Sequence, residues 1–244
     1  MDRMLYIAVS GATRVMESQS IRANNLANAD TTGFKADLER VNSTRLPTIG
    51  ASLQTRVMAQ TEGSGFSLQA GTLNPTGRKL DLAIRDQGLF TVQSNLGEAY
   101  TRSGTMVPDL NGQLTIDGRP VVGVNGPIVL GEYRDLFIGN DGRVSVLAGE
   151  GGIIEEVGQL KLVNPEFSSM EKGVDGLFRR RDGEPLQPSN QVNVDSGFLE
   201  SSNVTAVSEL IASMDLSRQF EVQVKLMKSA EKLAEAGNRL LRNA

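Results

Sequence analysis

The side chains that could carry out chemistry in this chain do not form a recognisable catalytic set. Its 244 residues include no cysteine and no histidine, so thiolate nucleophiles, cysteine-based zinc sites and the commonest general base are all missing. Glu155 and Glu156 are adjacent in sequence, and strand geometry would point them to opposite faces. We therefore predict no catalytic residue, no cofactor, no metal site and no small-molecule substrate.

Two other motifs resemble ligand sites but are better explained by local structure. Asp109, Asn111 and Gly112 lack the spacing and final glutamate of an EF-hand and are typical of an Asx-Gly turn. The run Arg179–Arg181 could hold a phosphate, but a solvated strand end beside Asp182 is the simpler interpretation. The net charge of −4 also argues against nucleic-acid binding, which requires a basic surface.

A cluster of amides near the N-terminus is more informative. Asn24, Asn25 and Asn28 precede the turn that contains Thr32, Gly33 and Phe34. Asparagine is a mediocre helix former, so buried amides that hydrogen-bond between helices, and thereby set their register, would explain the cluster. The alternative is a polar helix end that Asn28 terminates, with Gly33 at positive φ.

The elements that must position these residues are two long amphipathic helices at the ends of the chain. The first runs to about Asn28, and its weak apolar stripe has mostly three- and four-residue spacing. The stripe consists of Met1, Leu5, Ala8, Ala12, Val15, Ala23 and Leu26, with Gln19 interrupting it. Because alanine contributes little apolar area, we expect this helix to be marginal without partners.

The C-terminal helix is predicted from Asn203, as its N-cap, to Arg242. Its stripe begins with Val204, Val207, Ile211 and Met214 and continues, with a drift around the helix, through Phe220, Val224 and Met227. One partner cannot cover a drifting stripe, so at least two neighbours are implied. The alternative is a helical hairpin within a single molecule.

The middle of the chain is predicted to be mainly β. Residues 31–78 have no stable period and are typical of a connector. From Leu80 onward, short apolar runs alternate with Asx-Gly turns at about 8–12-residue spacing, which is typical of antiparallel sheets. The prediction is an α+β fold with a helix at 1–33, an extended connector at 34–78, a β-rich domain at 79–196 and a second helix at 197–244.

The sequence contains no obvious targeting or membrane-spanning segment. The apolar stretch Met4–Val9 is too short for a signal-peptide core. A run of about 20 apolar residues, as a membrane span requires, is missing. We expect no membrane span and, if the protein is exported, no cleaved signal.

Five blocks of the sequence resemble the axial proteins of the bacterial flagellum, which form its rod, hook and hook-associated structures. The blocks are ANNLANADTTGFK at 23–35, LDLAIRDQGLFTV at 80–92, YTRSGTMVPDLNGQLTIDGRPVVG at 100–123, VGQLKLV at 157–163 and GFLESSNVTAVSELIASMDLSRQFEVQVKLM at 197–227. The resemblance covers nearly the whole chain. Chain length, the short connector and the residues Arg218–Glu221 favour a proximal-rod member of the basal-body rod family.

The resemblance implies a structural role. Members of this family pair their terminal helices as an inner coiled-coil layer of a tube, with the β domain outside. The tube is the periplasmic rod of the basal body, a drive shaft that carries torque from motor to hook. The implied partners are copies of the chain, other proximal and distal rod proteins, and the flagellar type III export apparatus.

Two alternatives to a proximal-rod subunit remain open at this stage. One is a distal-rod or hook-type axial protein of the same family. The other belongs to a different class, a secreted β-domain adhesin with a helical stalk, which would expose a binding patch within residues 80–194. An enzyme is the weakest interpretation.

Overall fold

The computed structural model describes residues 2–45, 57–149 and 152–242. Residues 46–56 of the predicted connector therefore lie outside the described residues. The chain divides into two compact units. Unit 1 consists of Met1–Ala27, Asp37–Gly65 and Val204–Ala244, and unit 2 consists of Asn28–Ala36 and Phe66–Asn203.

In the described part of the chain there are two α-helices, nineteen strands and one short 3₁₀ helix, Phe167–Ser169. The helices are α1 (Asp2–Ala27) and α2 (Ala206–Arg242). The strands are β1 (Asp37–Arg45), β2 (Val57–Phe66), β3 (Leu73–Pro75), β4 (Leu82–Ile84), β5 (Leu89–Ser94), β6 (Gly97–Thr101), β7 (Met106–Pro108), β8 (Leu114–Ile116), β9 (Arg119–Pro120), β10 (Val122–Gly123), β11 (Gly126–Pro127), β12 (Asp135–Ile138), β13 (Arg143–Ala148), β14 (Ile153–Gln159), β15 (Leu162–Val163), β16 (Met170–Lys172), β17 (Phe178–Arg180), β18 (Val194–Ser196) and β19 (Phe198–Glu200).

Unit 1 is an antiparallel helix pair with a two-stranded sheet of β1 and β2. Arg22 near the end of α1 pairs with Glu209 near the start of α2, at 3.2 Å between Nη1 and Oε1. Gly11 lies against Gln223, where an added Cβ would be only 3.1 Å from the Gln223 Cδ. A side chain at Gly11 would therefore require the flexible end of the Gln223 side chain to shift.

Unit 2 is built from antiparallel strands. Its largest sheet has the order β15-β5-β6-β17-β16, and β7-β8-β9 and β12-β13-β14 form two further sheets. Three two-stranded pairs, β10-β11, β18-β4 and β19-β3, complete it. Turns with glycine at positive φ join several hairpins, as at Gly112 and Gly142. At the first of these, Asp109 Oδ1 accepts hydrogen bonds from the backbone N–H groups of Asn111 and Gln113, both at 2.8 Å, which confirms the predicted Asx-Gly turn.

The apolar core lies in unit 2. One cluster includes Phe90, Met106 and Leu160, and a second includes Tyr100 and Phe178, with Phe66 packed against it. The predicted α+β class, with terminal helices and a mainly antiparallel β region between them, is confirmed. Coiled-coil geometry between the helices, and the predicted domain boundaries, stay predictions.

The start of the C-terminal helix differs from the prediction. Helix α2 begins at Ala206, and the N–H of Glu209 donates to the carbonyl of Thr205 at 3.1 Å, so Asn203 is not the N-cap. Its side chain instead accepts a hydrogen bond from the Ala36 N–H at 2.8 Å and donates to the Gln69 carbonyl at 3.0 Å. Tertiary hydrogen bonds within unit 2 therefore outcompete the capping role.

Neither α1 nor α2, over its described residues, is long and apolar enough to cross a membrane.

Candidate assembly interface

Helix α1 uses one face to pack against α2. Ala8, Ala12 and Val15 are buried, and Leu5 and Leu26 are half-buried. At about 100° per residue these five positions fall on the side of α1 that also carries Gly11 and Arg22, the contacts with α2. The predicted stripe of α1 is therefore covered, at least in part, within the same chain.

Helix α2 divides its predicted stripe between two faces. Phe220, Val224 and Met227 are half-buried and lie on the side of Glu209 and Gln223, which faces α1. Val207, Ile211 and Met214 lie on the opposite side, where their exposed fractions are 64%, 56% and 59%. The drift in the sequence pattern thus marks a change of face. In the described chain α1 shields one face, and the large apolar side chains of the other remain open.

Apart from Ala23, which the predicted stripe also contains, a second series on α1 with exposed apolar side chains escapes the sequence prediction. Tyr6, Val9 and Met16 are 48%, 49% and 59% exposed. They belong to a heptad series at positions 6, 9, 13, 16, 20, 23 and 27, all exposed, one residue beyond the buried series that starts at Leu5 and Ala8. Three-four spacing of this kind is the pattern of a helix seam. This spacing was visible in the sequence, but the series that starts at Leu5 was chosen as the apolar stripe instead.

The side-chain amide of Asn25 forms hydrogen bonds inside unit 1. Asn25 is fully buried, its Nδ2 donates to the Asp37 carbonyl at 3.0 Å, and its Oδ1 accepts from the Asp37 N–H at 2.8 Å. This corrects the prediction of an inter-helix bond at Asn25, because the partner is strand β1. Asn28 accepts a hydrogen bond from the Thr31 hydroxyl at 3.2 Å, and Asn24 is exposed.

The residues after α1 belong to unit 2. Gly33 has a φ of 68°, and a Cβ there would lie 2.3 Å from the Arg102 carbonyl carbon, so only glycine fits. Phe34 is buried, with the Lys172 ammonium 3.7 Å from its ring centroid. The Thr32 and Ser103 hydroxyls are 3.5 Å apart. These side chains are used inside the subunit.

A buried charge cluster, which the sequence reading missed, joins the same segment to the start of the C-terminal block. Glu200 accepts from Lys35 Nζ through Oε1 and from Arg102 Nε through Oε2, both at 2.7 Å. All three side chains are buried. Arg102 also donates to the carbonyls of Asp86 and Gly88. Lys35, Arg102 and Glu200 form what we call the charge triad.

Electrostatics within the charge triad favour ionised Glu200. Burial by itself would raise the pKa of Glu200, but the Arg102 charge and the hydrogen bonds from Lys35 and the Gly71 N–H outweigh it and hold this pKa below its ordinary value of 4.5. Burial lowers the pKa of Lys35, and the contact with Glu200 offsets only part of that effect. The direction for Glu200 reflects a carboxylate that two cations share, whereas the direction for Lys35 reflects its burial.

The predicted interface residues therefore separate into three groups. Those that are buried or half-buried on the sides of α1 and α2 that face each other are Leu5, Val15, Leu26, Phe220, Val224 and Met227. Those used elsewhere inside a unit include Asn25, Gly33, Phe34 and Asn203. The exposed members in the helices are Asn24, Val207, Ile211 and Met214, and Val204, just before α2, is half-buried. Among the described residues no cluster of carboxylates could hold a metal ion.

Comparisons with known proteins match both ends of the chain and its whole length. A family model described as flagella basal body rod protein matches residues 5–35, and one described as flagellar basal body rod FlgEFG protein C-terminal matches residues 195–240. The flagellar basal-body rod protein FlgF of Escherichia coli K12 is 37% identical over 250 residues, which cover 99% of both chains. Its counterpart in Salmonella typhimurium is 36% identical over 99% of both chains. The FlgF of Caulobacter vibrioides is 33% identical over 97% of this chain and 96% of its own.

Proposed function

Because the chain belongs to the FlgF family of flagellar basal-body rod proteins, and is a structural subunit of the proximal rod rather than an enzyme, we propose that it joins its neighbours through the open faces of α1 and α2. On α1 that face carries Tyr6, Val9 and Met16, and on α2 it carries Val207, Ile211 and Met214. Neighbouring helices would cover both faces with coiled-coil packing.

The observation that carries this proposal is the exposure of large apolar side chains on two long helices. Three of the buried side chains of the two helices are Ala8, Ala12 and Ala230, whereas Tyr6, Ile211 and Met214 are 48%, 56% and 59% exposed. Exposed apolar surface of this kind marks an interaction site. Head-to-tail contacts between such faces generate open helical tubes, and the stiffness of interlocked helices would let the rod transmit torque to the hook.

The remaining predicted interface residues either lie near the open faces or pack between the two helices. Asn24 is exposed on α1, and Val204 stands just before α2. Either could meet a neighbour directly. Leu5, Val15, Leu26, Phe220, Val224 and Met227 hold the helix pair together and so shape the open faces. Other proximal and distal rod proteins and further copies of the chain are the proposed partners.

The proposal also covers the route to the rod. We expect export through the flagellar type III apparatus to a periplasmic position, without removal of an N-terminal signal. Ala8, Ala12 and Val15 are packed into unit 1, so cleavage within α1 would remove part of the fold. Mass spectrometry of rod-incorporated subunits should detect the tryptic peptide at residues 4–14. Its absence would contradict this route.

The assembly proposal is tested with Ile211→Asp in a strain that lacks the wild-type subunit. A carboxylate that becomes buried without a partner costs several kcal/mol, so the variant should fold and be exported but not enter basal bodies. Gln219→Asp is the matched control, since Gln219 is exposed on α2 but outside the apolar series. It should assemble normally. Wild-type rod content with Ile211→Asp would refute the interface.

A further inference from the structure

The open face of α2 changes its chemistry along its length. The heptad line through Ile211 continues with cations at seven-residue spacing: Arg218, Lys225, Lys232 and Arg239. The companion line through Val207 and Met214 continues with Glu221, Lys228 and Glu235. All seven of these charged side chains are exposed. Together they are called the basic stripe below.

The basic stripe is one continuous surface. Positions seven residues apart differ by only about 20° around a helix. At about 1.5 Å per residue, the span from Arg218 to Arg239 is about 32 Å long. It contains five cations and two carboxylates, and Arg218 has a further carboxylate, Asp215, at 3.8 Å. Its excess positive charge directly adjoins the apolar residues Ile211 and Met214.

We infer that the basic stripe receives an acidic helix from a different protein of the rod, an inference that rests on the proposed function. The partner helix would be apolar opposite Val207–Met214 and would carry carboxylates opposite Arg218–Arg239. Cations that become buried in a helix seam without counter-charges are strongly destabilising. Complementary charges on the partner avoid that cost and select it against other helices.

The helices of a second copy of this chain do not supply a matching row of carboxylates, because no two of the exposed acids of α2, Asp215, Glu221, Glu231 and Glu235, are seven residues apart. The exposed heptad series of α1 contains tyrosine, valine, threonine, methionine, serine and alanine but no acid. Glu17 is the one exposed carboxylate among the described side chains of α1, and it lies outside that series. A second α2 would bring its own cations to the seam. The cations of the two stripes, which outnumber the two carboxylates of each, would then oppose each other.

The sign pattern also distinguishes the stripe from an ordinary solvated face. Exposed helices commonly alternate acids and bases in i,i+4 pairs, as Glu221 with Lys225 and Glu235 with Arg239 do here. In addition, each of four successive heptad positions, from Arg218 to Arg239, has the same sign. Regular cations that extend an apolar seam indicate a partner with a matching pattern of carboxylates.

The first test compares lysine reactivity in the free chain and in isolated basal bodies. With an amine-acetylating reagent, Lys225 and Lys232 should react about tenfold less in basal bodies than in the purified subunit, because paired amines in a seam are shielded. Lys35 is buried in the charge triad and should be unreactive in both, which provides an internal control. Equal labelling of Lys225 and Lys232 would make the stripe a solvated face and overturn the inference.

The second test identifies the partner and separates this inference from the proposed function. Carbodiimide should couple Lys225, Lys228 or Lys232 to a carboxylate of a different rod protein, and coupling only to further copies of this chain would overturn the inference. Lys225→Glu with Lys232→Glu should reduce incorporation into basal bodies by about tenfold or more, while Lys225→Arg with Lys232→Arg should not. Normal incorporation of the glutamate variant, alongside failure of Ile211→Asp, would remove this inference and leave the proposed function standing.

Discussion

The two units of the molecule differ in the size and charge of the side chains that they bury. Unit 2 encloses large side chains such as Phe90 and Tyr100 and pairs its buried charges with one another. Unit 1 buries mainly alanines between its helices and exposes Ile211 and Met214. A buried leucine or isoleucine contributes about 1.5–3 kcal/mol, and an alanine much less. We therefore expect unit 2 to be stable in the free subunit, and we propose that neighbouring subunits complete unit 1.

The largest expected difference between the units is in hydrogen exchange of the free subunit. Amides in β5 and β6 should open only with global unfolding, at about 5–15 kcal/mol. Amides in α1 should open at a much lower free energy because few large side chains hold that helix. In isolated basal bodies the α1 amides should become protected. Full protection of α1 in a dilute monomer would contradict the comparison.

Removal of the shared carboxylate should be among the most damaging substitutions in unit 2. Glu200→Leu leaves the buried Lys35 and Arg102 without a counter-charge, which should cost about 3–5 kcal/mol. Chemical denaturation, followed by a spectroscopic signal from the β-sheets of unit 2, measures the lost unfolding free energy. Asp195→Leu, which removes the partner of the exposed Arg85, is the matched control and should change stability far less. Similar losses in both variants would mean that the triad is not specifically stabilising.

The pH dependence of stability should also identify Glu200. Its folded pKa lies below the ordinary value of 4.5, so its stabilising contribution is complete above the pKa of the unfolded state and decreases as pH falls through the folded pKa. The difference in unfolding free energy between wild type and Glu200→Gln should be constant near neutral pH and shrink in acid below 4.5. A difference that grows on acidification would contradict the assigned direction.

A smaller effect is expected for the buried amide in unit 1. Asn25→Ala leaves the Asp37 N–H and carbonyl without their partner, at about 1–3 kcal/mol for a buried unsatisfied group. Because that loss falls on unit 1, hydrogen exchange in α1 should accelerate while the denaturation midpoint of unit 2 stays unchanged. Asn24→Ala, at an exposed neighbouring position, serves as the control. An unchanged exchange rate with Asn25→Ala would show that the amide is dispensable.

The smallest effect on the free subunit should come from truncation on the open face. Ile211→Ala should change stability by no more than about 0.5 kcal/mol, as expected for an exposed site. The same truncation at Ile116, which is fully buried in unit 2, should cost about 2–5 kcal/mol. Thermal unfolding of the two variants compares the units directly. A large loss with Ile211→Ala would mean that the face is already covered in the monomer.

Local patterns were sufficient to predict the ends and turns of the fold. The three-four spacing from Leu5 to Leu26 predicted α1, and Asx-Gly turns such as Asn111–Gly112 predicted the antiparallel β region. Both patterns involve residues close together in the sequence, so they can be recognised without knowledge of the tertiary structure. The cap at Asn203 was wrong because its amide bonds to residues 167 and 134 positions away, and a local capping rule cannot anticipate such bonds.

The sequence by itself determined that this chain has two amphipathic terminal helices, a β region between them and no obvious catalytic set. Only the tertiary structure decided which apolar face of each helix is buried. On α1 the series from Leu5 and the series from Tyr6 both fit a helix seam, and on α2 one stripe divides between two faces. The charge triad likewise depends on Lys35 and Glu200, which are 165 residues apart. Periodicity defines the faces of an element, but burial and charge pairing depend on which distant segments pack against those faces.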